Sequence, residues 1–87
     1  MQLQDLLTEL LDLAGRLNIE VRHAPLGGAG GGLCLLRGRR VLFVDTQATL
    51  PDQVARTATG LAQEPQLEDC FLLPQVRQTL EQYREQG

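Results

Sequence analysis

A run with almost no side chains, Gly27-Gly28-Ala29-Gly30-Gly31-Gly32, leads straight into apolar residues that continue to Asp45 and are interrupted only around Gly38. A stretch of glycines has nothing to pack, so it must be a loop. The residues after it must therefore order themselves by pairing. Leu33-Cys34-Leu35-Leu36-Arg37 and Arg40-Val41-Leu42-Phe43-Val44-Asp45 flank Gly38-Arg39, which predicts a β-hairpin. Glycine in the first loop position suits a two-residue type II′ turn. That register pairs Leu36 with Val41 and Cys34 with Phe43 on one face, and Leu35 with Leu42 and Leu33 with Val44 on the other. Both faces are apolar, so cover is expected on both sides of the sheet.

Glycine loops also cradle phosphates when they open a helix, because the first helical N–H groups then point at the anion. Here the chain rises into strands, and no Lys-Ser or Lys-Thr follows. The phosphate-loop motif is therefore not met. Backbone amides of the loop could still form an anion-binding nest, with Gly28, Gly30 and Gly31 as its candidate residues.

Before the loop, Leu3, Leu6, Leu7, Leu10, Leu11, Ala14 and Leu17 recur at helical spacing, with Asp5, Glu9, Asp12 and Arg16 on the other face. This predicts an amphipathic helix that stops at Asn18, a residue tolerant of left-handed backbone. Ile19 to His23 alternates and predicts a short strand, ended by Pro25. After the hairpin, Thr49, Pro51 and Asp52 mark a helix start. Its inner stripe of Val54, Ala55, Ala58, Leu61 and Ala62, with Gly60, is narrow enough to lie close to a sheet. Leu67 to Leu73 reads as a buried connection or a short helical turn. Pro74 opens a last helix with Val76, Leu80 and Tyr83 inward. The expected fold is a single α+β domain over residues 1–87, in the order αβββαα, with a small, largely antiparallel three-stranded sheet.

At 87 residues such a domain buries only about two-thirds of its unfolded surface, and self-association is a common remedy. The net charge of −3 and the absence of a basic face argue against nucleic acid. All eight basic residues besides His23 are arginine. Two cysteines, Cys34 and Cys70, do not make a disulfide framework or a metal cluster. No segment is apolar enough to span a membrane, and Met1 to Asp5 shows no secretory pattern, so a cytoplasmic setting is expected.

The chemistry-bearing candidates are few. His23 is the only histidine; a packing role competes with a catalytic one. Cys34, mid-strand, reads as a small buried hydrophobe or else a reactive thiol. Cys70 sits between Asp69 and Phe71, an acidic setting that does not suit a nucleophilic thiol. Arg37, Arg39 and Arg40 crowd the hairpin tip. They suit a phosphate, RNA or an acidic partner surface, or they simply keep the tip solvated and unpaired. No aromatic platform accompanies them for base stacking.

From Leu13 to Gln63 the order of elements resembles the N-terminal half of the ImmA/IrrE-type zinc metallopeptidases, in which a helix, a short strand, a hairpin and a second helix follow in turn. In that family the second helix carries H-E-x-x-H. The similar segment here is Ala58-Thr59-Gly60-Leu61-Ala62-Gln63. Thr59 and Gln63 replace the ligand histidines, and Gly60 replaces the catalytic acid. The resemblance implies a zincin-like scaffold without zinc or peptidase activity, left with a binding or structural role. The leading expectation is a non-catalytic interaction or self-associating module, with no metal, cofactor or membrane. The alternatives are an anion or small-molecule binder using the glycine loop and the three arginines, or an enzyme centred on His23 or Cys34.

Overall fold

The amphipathic stripe at the start of the chain winds as α1, Leu3–Arg16, and buries Leu6, Leu7, Leu10, Leu13 and Ala14. Asn18 ends it in the left-handed region, with φ of 62°, where its short polar side chain is tolerated. The computed structural model describes residues 1–86. Strands β1 (Glu20–Ala24), β2 (Gly32–Leu36) and β3 (Arg39–Asp45) follow. They form one sheet in the order β1-β3-β2. The β2–β3 pair is antiparallel, as a hairpin requires, while β1 runs parallel to β3. Helix α2 spans Leu50–Leu61, a 3-10 turn covers Pro65–Asp69, and α3 runs from Pro74 to Gln86. The α+β class and the αβββαα order are thus observed, on a mixed sheet.

The turn differs from the expected one. Leu36 pairs with Arg39, Leu35 with Arg40, Cys34 with Val41 and Leu33 with Leu42, so the loop residues are Arg37 and Gly38. Both have positive φ, 51° and 80°, the signature of a type I′ turn, whose twist matches that of the strands. The pairing has slipped by two positions, which preserves the faces: Leu36 and Val41 still lie on the same side.

Both sheet faces were expected to be covered, and only one is. Leu42, Val21 and Leu33 join the helices in one core with Leu10, Leu13, Ala58, Leu61, Val76 and Leu80. Helix α1 packs on α2 and β1, α2 packs on β2 and β3, and α3 packs on α2 and α1, which holds all three helices to one side. Gly60 allows the closest contact: a Cβ there would lie 2.9 Å from that of Leu33. Thr49 caps α2 by accepting the Asp52 N–H at 3.3 Å. The opposite face has no helix over it: Arg22, Gly32, Cys34, Leu36, Arg39 and Phe43 lie on it around Val41, which alone among them is buried. Cys34, expected to be buried, is exposed there.

Arg40 is likewise not a free tip residue. It lies on the helix-facing side of β3, ion-paired with the buried carboxylate of Glu64, and it donates to the Leu17 carbonyl at 2.8 Å. It ties the end of α1 to the segment after α2. Arg40→Ala leaves Glu64, only 7% exposed, without its counter-charge. Chemical denaturation should show a loss of about 2 kcal/mol, and added salt should not mimic it because the pair is shielded.

Candidate functional site

Topology decides what the glycine loop encloses. Strands β1 and β2 flank β3, so the connection between them must arch over the C-terminal end of β3. Asp45 stands at that end, only 2% exposed. Its Oδ1 accepts the N–H groups of Leu26 and Gln47, both at 2.9 Å. Its Oδ2 accepts those of Gly28 at 2.7 Å and Gly30 at 3.0 Å. Gln47 Oε1 takes the Gly27 N–H at 2.7 Å, and Arg56 donates to the Ala29 carbonyl at 2.6 Å. Burial disfavours the charged carboxylate, but the four N–H donors outweigh it and hold Asp45 below the ordinary value of 3.8. The loop amides therefore already serve an anion, and that anion is internal. Gly31 sits at φ of 102°, where a Cβ would lie 3.1 Å from the Phe43 carbonyl oxygen, so this close crossing needs glycine.

Asp45 was not singled out by sequence reasoning. The available signal was an Asp at a strand end followed two residues later by a chain reversal, the pattern of an Asx turn. The Gln47 N–H bond to its side chain is that turn.

The candidate binding residues are not brought together. Gly28, Gly30 and Gly31 lie at one end of β2, and Arg37 and Arg39 lie at the other, roughly 15 Å away at strand spacing. Arg39 and Arg40 border a depression of about 500 Å3 that also contains Glu20 and Asn18. A carboxylate in that depression weakens it as an anion site. His23 and Cys34 do not meet either. They occupy strands separated by β3 and point to opposite faces, so no base stands beside the thiol. Thr59 Oγ1 donates to the Ala55 carbonyl at 2.7 Å, Gly60 packs on Leu33, and Gln63 is exposed. Among the described residues, no group of three His, Cys, Asp or Glu is arranged to hold a metal, and no helix is long and apolar enough to cross a membrane.

The most distinctive surface is the β2 edge. In a two-residue hairpin the pair next to the turn is the hydrogen-bonded one. Residues 32, 34 and 36 therefore bond to β3, while Leu33 and Leu35 aim their N–H and C=O groups outward. Proteins normally blunt such an edge with charge, proline or a bulge. The β1 edge follows that rule, with Glu20 and Arg22 forming an ion pair on it. The β2 edge, Gly-Leu-Cys-Leu-Leu, has none of these devices. Leu35 is 71% exposed and Leu36 is 42% exposed. Beside them runs a groove of about 430 Å3 between β2 and α2, lined by Gly31, Gly32, Leu33, Asp52, Ala55, Arg56, Thr59 and Gly60. Phe71 is also exposed, but the hollow beside it is shared with Glu9, Asp12 and Arg16.

Comparison with protein-family models, with curated proteins and with solved structures gives no match.

Proposed function

We propose that this chain is a non-catalytic protein-interaction module that works through the edge of β2 and the open sheet face next to it. The observation that carries this reading is an unblunted, wholly apolar edge strand whose outward Leu35 is largely exposed. An edge of this kind adds a strand from a partner: main-chain hydrogen bonds supply affinity and alternate side chains supply selectivity. The separation of His23 from Cys34 and the internal use of the glycine-loop amides support a binding role over a catalytic one.

The expected result is a perturbation of the Leu33 and Leu35 amide signals in NMR spectra of labelled protein. It should appear as the protein is concentrated if the partner is another copy, or on adding native cell extract if it is not. Unchanged β2 signals under both conditions would overturn the reading.

A further inference from the structure

We propose that the partner is a second copy of this chain, joined β2 to β2 about a two-fold axis at Cys34; this rests on the interaction reading above. An antiparallel pairing must join residues whose backbone groups face outward, which in β2 are Leu33 and Leu35. Three symmetric registers do so: Leu33 on Leu33, Leu35 on Leu35, or Leu33 on Leu35. The first draws in Gly31, with φ of 102°, and the second draws in Arg37, with φ of 51°. Both lie outside β2, whereas Gly32, the one positive-φ residue inside it (127°), is already paired with Phe43 as a strand residue. The third engages every outward N–H and C=O of β2 and pairs all of its 5 residues. It merges two three-stranded sheets into one.

That register is also complementary in size. On the open face Gly32 lies opposite Leu36 of the second copy, and Cys34 lies opposite Cys34. On the helix side the exposed Leu35 of the second copy lands beside Leu33, over the groove floored by Gly60. Asp52, Ala55, Arg56 and Thr59 flank this groove along α2, with Arg56 turned toward the glycine loop, and the small Ala55 and Thr59 leave room for the neighbouring helix. No charged side chain lies within β2, so the symmetric pairing opposes no like charges. Just beyond it, Arg37 of the second copy comes opposite Gly31, where Asp52 offers a counter-charge and Arg56, already donating to the Ala29 carbonyl, a like charge, so this contact adds no net charge complementarity. A contact of one short strand and one groove falls below the standard interface size of about 1,600 Å2 in total. The expected dimer is therefore weak, with a dissociation constant on the order of micromolar.

The register has a direct readout. Directly opposed Cys34 residues form a non-hydrogen-bonded pair, with Cα atoms about 4.5 Å apart, within disulfide reach. Diamide, which takes up the two electrons and two protons released, should link wild-type protein and Cys70→Ser into dimers but leave Cys34→Ser monomeric. Leu35→Lys should slow linking about tenfold and shift sedimentation toward monomer, with an unchanged circular-dichroism spectrum because Leu35 is exposed. Linking that persists in Cys34→Ser, or is unaffected by Leu35→Lys, overturns the pairing. So does a monomer at every concentration. If β2 signals nevertheless respond to native extract, the interaction reading survives and the second copy does not.

Discussion

Asparagine in place of Asp45 is expected to release the glycine loop. The carboxylate accepts four backbone N–H groups with two oxygens. An amide offers one oxygen and turns two donors toward groups that are themselves donors. The N–H groups on that side lose their acceptor in a site shielded from water, where orphaned donors are costly. The amides of either Gly28 and Gly30 or Leu26 and Gln47 should exchange with solvent roughly tenfold faster or more. The start of β2 should loosen with them, because Gly31 and Gly32 continue the same loop.

The same carboxylate sets a pH dependence. Asp45 titrates lower in the folded chain than in the unfolded one, so its contribution is fully present above the unfolded value. It is lost as pH falls from about 4 through the folded value, because the unfolded chain then binds the proton more readily. Urea midpoints measured from pH 7 to pH 2 should fall more steeply at the acid end for wild type than for Asp45→Asn. Parallel curves would show that the carboxylate contributes nothing through its charge.

Leu42→Ala is expected to have the larger effect on global stability. Leu42 has no exposed surface and sits at the centre of the helix-facing sheet layer, between Val21 and Leu33. Emptying such a site costs about 2–5 kcal/mol, the transfer term plus the cavity left behind. In a domain this small, a cost of about 3 kcal/mol lowers the Tm by about 15 °C. Leu35→Ala is the matched control. Leu35 is on the same face but paired with Arg40 at the sheet rim, and its truncation should change stability by less than about 0.5 kcal/mol. Equal losses at the two sites would mean that Leu35 is covered in the folded state.

Leu35 and Leu42 also show where sequence reasoning stops. Both are leucines on one face of one hairpin, and the alternation of the strands places them there without further information. Which of them is buried depends on how far the helix layer reaches, and no local pattern carries that. The hairpin register failed for a related reason. Gly38 fits the first position of one two-residue turn and the second position of another, and both choices preserve the faces. The selected register brings Arg40 within reach of Glu64 and of the Leu17 carbonyl, contacts made by residues far away in sequence. The six candidate binding residues were legible as residue types. Their division between the two ends of β2, and the role of Asp45 beneath the loop, needed the strand order β1-β3-β2.

By itself the sequence determined whatever depends on one residue's own backbone or on a regular period. That includes the left-handed stop at Asn18, the Thr49 cap, the close approach permitted by Gly60, the amphipathic helices and the order αβββαα. The tertiary structure alone decided that β3 lies between β1 and β2, that all three helices gather on one face, and that the β2 edge and Cys34 are left open. Each of these is a choice between packings that use the same local elements, settled by burial summed over the whole chain.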